Sequence, residues 1–295
     1  MKKRRFLRKP NYVELIPGYS KLAYQLKREG AHQFAAFCCL AVARCHEAQR
    51  TLPLQASELQ NAGAMYWNIS LDEANVDITD FEENTEQAIH CFKIAINIYL
   101  GLKKLGLVSS LYYEMATGLK YLKRYPEAGL YFRKAAELQQ TDSPLISINS
   151  LVESFSCSIE YGGYTDSFKD LQWIVKLATE QAHESTSQFF QDKKIEALVS
   201  LVLILLLLHD IEQARLTLKL IRREQEGESK TEKFPEDVYG SHEWFYLLLS
   251  EVVDAFASSD EESLSLMHGE LHDTFSPLQN RIFLLVMETS RPVLG

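Results

Sequence analysis

Pro126–Gln140 reads PEAGLYFRKAAELQQ, and within it Ala128, Phe132 and Ala135 follow one another at steps of four and three residues. That spacing sets all three side chains on one helical face. A small residue lets two helices of a hairpin approach closely, and a larger apolar group one turn on fills the gap to the next hairpin. The pattern recurs as Ala88, Phe92 and Ala95, and in weaker form as Ala36, Leu40 and Ala43, as Ser167, Leu171 and Ile174, and as Ala214, Leu218 and Ile221. The first members of successive copies stand 52, 40, 39 and 47 residues apart.

Around these copies helical periodicity runs almost from end to end. Leu15, Tyr19, Leu22 and Leu26 mark a first helix that Gly30 stops, and Ala35 to Ala48 a second. Further helices are expected over Leu54–Ile69, Thr85–Lys103, Leu107–Lys123, Leu145–Tyr161, Thr165–Ala182, Gln188–Leu208, Ile211–Gln225, Trp244–Phe256, Glu261–Leu271 and Pro277–Thr289. Pro126 and Pro144 suit first helical positions. The expectation is an all-α array of about thirteen helices in a single domain over 12–295, after a basic segment at 1–11. The connections are short, so neighbours should form antiparallel hairpins. Two charged stretches, Ser70–Glu86 with seven acidic residues and no basic one, and the Glu/Lys-rich Gln225–Glu243, read as solvated loops.

With 13 Gly and 8 Pro in 295 residues, the chain lacks the corners of turn-rich β folds. Five Cys without a CxxC make neither a disulfide framework nor a zinc ribbon. Ala197–Leu208, ALVSLVLILLLL, is 12 residues long where a bilayer needs about 20, so it reads as the most buried helix rather than a membrane span. Phe6-Leu7 is followed at once by Arg8, Lys9 and Pro10, which breaks any secretory signal. A cytosolic protein is expected.

Charge is unevenly placed. The net −9 arises after residue 221, where 15 acidic residues face 6 basic ones, while Lys2, Lys3, Arg4, Arg5, Arg8 and Lys9 fall in the first nine residues. The acidic balance argues against general nucleic-acid binding. Catalysis finds no candidate: there is no phosphate-binding glycine loop and no GxSxG elbow. His268 and His272 stand one turn apart, but Glu270 sits midway rather than beside the first His, and a surface pair is the better reading. Cys38, Cys39 and Cys45 lie on an Ala-rich helix and suit a core better than a metal. No cofactor or metal is expected.

The small–large–small triplets resemble the second helix of a tetratricopeptide repeat, or TPR, and Tyr125 three residues before Ala128 strengthens the likeness. Spacings exceed the usual 34 residues, and the first helix carries Tyr112, Met115, Ala116 and Leu119 in place of the Trp and Leu-Gly of that repeat. The fold class is therefore all-α, a degenerate TPR-like helical-hairpin array of the α-solenoid kind.

Two segments are more specific. Lys2–Asn11, KKRRFLRKPN, and Ala35–Ala48, AAFCCLAVARCHEA, resemble the forty-kilodalton huntingtin-associated protein family, also called the factor VIII intron 22 protein family, and the likeness continues through Tyr131–Gln139 and Ala197–Leu208. The resemblance implies a non-enzymatic partner of huntingtin, itself a helical-repeat solenoid, held between its lobes as an obligate-type heterodimer. It also implies a link to early endosomes and their motility through Rab5-linked machinery, with no membrane insertion. The basic start reads three ways, as a nuclear-import signal, an anionic-surface contact or a tether, or else as a solvated tail.

An alternative is an adaptor that grips a short peptide, for which Lys120, Lys123 and Arg124 form the one basic cluster on the hairpins. For the leading reading, complementary potentials should orient the partner. Lys2 to Lys9 are expected to meet an acidic surface of the partner, and Glu243, Trp244, Asp260, Glu261 and Glu262 a basic one.

Overall fold

The structure, a computed structural model, describes residues 11–75, 82–184, 188–228 and 242–290. Among the described residues there are thirteen helices and no strand: α1 Tyr12–Arg28, α2 His32–Gln49, α3 Leu52–Asn75, α4 Glu83–Gly101, α5 Leu105–Tyr121, α6 Tyr125–Gln139, α7 Pro144–Glu160, α8 Tyr164–Glu184, α9 Gln188–Leu207, α10 Ile211–Glu228, α11 His242–Ser258, α12 Glu261–Leu271 and α13 Pro277–Ser290. The chain divides between Leu138 and Gln139 into two compact units.

All five triplets lie on even-numbered helices. Fourteen of their fifteen residues are buried; Leu40 alone is only half-buried. In the first unit each helix packs on the next along the chain. Glycine on an odd-numbered helix sets how near two helices come. Phe92 of α4 lies against Gly63 of α3, and the indole of Trp67 occupies the space a Cβ on Gly118 of α5 would need.

The turns between helices share one backbone solution. At Lys103, Lys123 and His209 the chain swings into the left-handed region, with φ of 55°, 60° and 58°. The next N–H then reaches back to the carbonyl five residues earlier, as Lys104 N does to Tyr99 O at 2.9 Å, Arg124 N to Leu119 O at 2.8 Å and Asp210 N to Leu205 O at 2.9 Å. This is the Schellman closure, which satisfies carbonyls orphaned at a helix end. Gly30 and Gly162 occupy the same position in two further turns, and Arg50 and Ser259 in two more. Gly30 thus stops α1 as its sequence position suggested.

In the second unit α9 has α8, α10 and α13 around it, and every residue from Ala197 to Leu207 is buried. A helix apolar all round has this one stable place in water. The last helix returns to it: Gln279 Nε2 donates to Glu196 O at 3.2 Å and to Ser200 Oγ at 3.1 Å, and Arg281 forks onto the Glu160 carboxylate of α7.

The two charged stretches are less loop than expected. Ser70 to Asn75 continues α3 and Glu83 to Glu86 opens α4. Buried Thr85 donates to Ser70 Oγ at 3.0 Å, and Asn84 Nδ2 donates to the Glu73 carboxylate at 3.2 Å, so the two helices are tied at this end. Likewise α10 runs to Glu228 and α11 starts at His242. Residues 76–81 and 229–241 lie outside the described residues, as does the segment 1–10.

Two glycine substitutions separate backbone from packing effects. Gly162→Ala meets no atom with its new Cβ, yet its φ of 74° makes an L side chain costly, and a loss of about 1–2 kcal/mol is expected in urea unfolding. Gly118→Ala has ordinary helical backbone, but the new Cβ falls on the Trp67 indole. A loss of about 1–3 kcal/mol should come with a change in Trp67 fluorescence that Gly162→Ala does not produce.

Candidate partner-binding surface

The described residues bring together no three His, Cys, Asp or Glu side chains able to hold a metal, and no helix is long and apolar enough to cross a membrane. Cys39 and Cys91 are poor nucleophiles and ligands. Cys39 is pushed up to about 12 by burial first and then by the Glu58 carboxylate, and Cys91 to about 11 by burial. The metal-active form, the thiolate, is thereby suppressed. His46, which follows Cys45, is buried and its Nδ1 pairs with Thr51 Oγ1 at 2.9 Å across the α2–α3 turn.

The His268–His272 pair belongs to the packing of α12 on α13. The His268 ring centroid lies 5.1 Å from that of Phe283 and 5.7 Å from that of His272, while exposed His272 pairs its Nδ1 with Asp273 at 3.1 Å. Buried Leu264 and Leu271 flank His268 on the same helical face. Burial, and secondarily His272, hold the His268 pKa below the ordinary histidine value.

The acidic residues singled out in the sequence take separate places. Asp260 is the N-cap of α12, its Oδ1 accepting from Ser263 N at 3.1 Å and its Oδ2 from Ser263 Oγ at 2.7 Å. Those hydrogen bonds hold its carboxyl below the usual aspartate value. Glu261 and Glu262 are exposed in the first turn, where the helix dipole favours negative charge. The run Asp260-Glu261-Glu262 therefore has a local reason to exist. Trp244 lies in the first turn of α11, 40% exposed, with exposed Leu247 one turn along. The 17 residues of α11 put Trp244 about 25 Å from Asp260, so the structure does not join the two into one patch. Glu243 lies in the first turn of α11 with its side chain outside the described residues, and Lys2, Lys3, Arg4, Arg5, Arg8 and Lys9 are outside them altogether.

Of the basic cluster, Arg124 is already engaged, its guanidinium bound to Glu127 at 2.7 Å and Glu86 at 3.0 Å. Lys123 is the left-handed residue of its turn. Neither is arranged as an empty carboxylate clamp. Sequence reasoning missed a cleft of about 380 Å³ between α2, α3 and α4. Phe37, Leu40 and Tyr66 contribute its apolar part, and Gln33, Arg44 and Gln87 its polar part. Phe37 and Phe34 are large exposed rings on α2; because eight of its eighteen residues are Ala or Cys, no periodic signal marked its outer face.

No family model matches the chain. Among curated proteins it is similar to the 40-kDa huntingtin-associated proteins of Rattus norvegicus and Mus musculus, each 28% identical over 189 residues, which is 63% of this chain and 49% of theirs. The resemblance to the 40-kDa huntingtin-associated protein family stands, at moderate identity. The chain spans about half the length of these relatives. Among solved structures, it overlaps a Podosopora anserina putative kinesin light chain with nearly identical TPR-like repeats at a TM-score of 0.38 and 13% identity, over 74% of this chain and 97% of that one. A tetratricopeptide repeat protein from Parabacteroides merdae gives 0.30 and 12% identity, over 94% and 99%. At these scores the overlaps carry no argument, and the helical-hairpin fold rests on the helix order and the five triplets.

The lowered His268 pKa sets a direction for pH. Its neutral form is favoured when folded, so its share of stability is complete above the unfolded value near 6.5 and is lost as pH falls from there through the folded value. The thermal midpoint should drop between pH 7 and 5.5, and His268→Leu should flatten that part of the curve. A parallel drop in the variant would assign the loss to other groups.

Proposed function

We propose that the chain is a non-enzymatic interaction protein whose partner is huntingtin, bound as an obligate-type heterodimer between its helical-repeat lobes. The observation that carries this is the 28% match to the 40-kDa huntingtin-associated proteins. It is supported by what the helices leave uncovered: Phe34, Phe37, Leu216, Leu220, Trp244 and Leu247 are large apolar side chains on ordered helices with their surfaces open. Aromatic groups of this kind anchor protein interfaces, and obligate interfaces are large and rather hydrophobic. By the same reading the complex is brought to early endosomes through Rab5-linked machinery.

The test is co-expression. The chain alone should aggregate, and huntingtin should render it soluble and co-purify with it. A well-behaved free chain at micromolar concentration that fails to capture huntingtin ends the proposal.

Charge is proposed to set orientation, with Lys2–Lys9 toward an acidic surface of the partner and the acidic end toward a basic one. Because Asp260 caps α12, the informative variant is Glu261→Lys with Glu262→Lys, leaving the cap in place. Association should weaken and its loss with salt should steepen. Binding equal to the parent at low and high salt removes the acidic residues from the interface.

The cleft between α2, α3 and α4 favours a second reading, capture of a short extended peptide. A half-polar cleft lined by Phe37, Leu40 and Tyr66 beside Gln33, Arg44, Glu83, Asn84 and Gln87 can take one side chain and hydrogen-bond the peptide backbone. Saturable binding of short peptides that Phe37→Ala abolishes, in a chain that ignores huntingtin, would favour it.

A further inference from the structure

The alternation of antiparallel helices sorts the exposed residues of the first unit by end. Helices α1, α3 and α5 run parallel to one another, since α2 and α4 return between them, so their starts lie at one end of the unit. Each start carries a pair of exposed aliphatic residues: Val13 and Leu15 on α1, Leu52 and Leu54 on α3, Leu105 and Leu107 on α5. Val13 is 79% exposed and Leu54 52%.

Cations stand beside them. Arg50 lies in the α2–α3 turn, Lys103 and Lys104 in the α4–α5 turn, all exposed. None of the three forms an ion pair among the described residues, while Glu14, Glu47 and Glu137 are the carboxylates in the helix turns at this end of the unit. The six cations between Lys2 and Lys9, with Phe6 and Leu7 among them, precede α1 in the chain. The opposite end differs in kind. Its exposed rings, Tyr24, Phe34 and Tyr121, accompany Arg124 bound between Glu86 and Glu127.

We propose that the aliphatic end of the first unit docks on an anionic lipid surface, with the leucine pairs entering the headgroup–acyl boundary and Arg50, Lys103 and Lys104 meeting lipid phosphates and carboxylates. Composition selects lipid over protein. Protein interface cores are enriched in aromatic residues and Arg and depleted in Lys, and Leu is under-represented among their hot spots. Leucines ringed by Lys and Arg are instead what binds a negatively charged leaflet. The pairs sit on three separate helix starts, as prongs rather than walls of a groove, and the cleft of this unit lies elsewhere, between α2, α3 and α4. Docking of this kind is peripheral and stands independently of the huntingtin reading.

The experiment is flotation of the full chain with phosphatidylcholine vesicles, with and without phosphatidylserine, because an aggregate sediments but does not float. The chain should float with phosphatidylserine present and remain at the bottom with phosphatidylcholine alone. Combined Arg50→Gln, Lys103→Gln and Lys104→Gln should lower partitioning on the order of 100-fold, since each cation near an anionic surface contributes about fivefold. Leu52→Ser, Leu54→Ser, Leu105→Ser and Leu107→Ser together should lower it roughly tenfold or more, whereas Leu266→Ser, at an exposed position on α12, should leave it unchanged; circular dichroism checks that each variant keeps its helices. Equal flotation on neutral vesicles, no flotation at all, or no effect of the Leu and cation variants overturns the proposal. So does a Leu variant that loses huntingtin capture but floats like the parent, which would make this end a protein interface.

Discussion

Close approach of antiparallel helices is the constraint on which the rest of this protein depends. Helices of this length are marginal alone in water, and each gains stability by lying against its neighbours. Such approach needs small groups at fixed places. Ala36, Ala88, Ala128, Ser167 and Ala214 supply them on the even helices, and Gly63 and Gly118 on the odd ones, where Phe92 and Trp67 fill the space left free. The large member of each triplet then closes the gap. On α12 a polar ring is drawn into the packing: the imidazole of His268 lies on Phe283, at the expense of its affinity for a proton.

The same constraint acts on the turns. A two- or three-residue connection can reverse the chain between helices this close only if one residue adopts left-handed backbone and the following N–H closes on the preceding helix. Seven turns do so, and only two of them use Gly. The remaining positions are held by Arg50, Lys103, Lys123, His209 and Ser259, against their intrinsic preference. Tertiary packing overrides local propensity there, and this places exposed charge at helix ends, where it can act.

Function follows from what this packing leaves outside. The interior consumes the thiols and His46, and suppresses the ionised forms of Cys39 and Cys91, so the chemistry-bearing residue types serve as packing. Asp260 serves α12 before it can serve a partner, and Arg124 serves Glu86 and Glu127. What remains for recognition is surface: rings on α2 and α11, leucines at helix starts, and charge unevenly divided along the chain. These surfaces are what the proposed interaction role rests on, beside the similarity to the 40-kDa huntingtin-associated proteins.

Helical periodicity, the five apolar triplets and the scarcity of Gly and Pro were enough to establish an all-α hairpin array, because a 3.6-residue period with small residues at fixed intervals has few other solutions. The buried helix at Ala197–Leu207 was equally legible, since an all-apolar run too short for a bilayer has only a protein interior to enter. The sequence did not separate capping carboxylates from free ones: Asp260 and Glu261 look alike in a charge run, and only backbone geometry distinguishes them. Nor could it show that Leu15 and Leu22, which share a stripe on α1, stay exposed while Ala23 is buried, because which flank of a helix meets its neighbour is decided by packing across the hairpin. The cleft beside Phe37 and the gathering of Leu52, Leu54, Leu105 and Leu107 at one end are likewise tertiary. Residues some fifty positions apart share a surface there only because intervening helices double back between them.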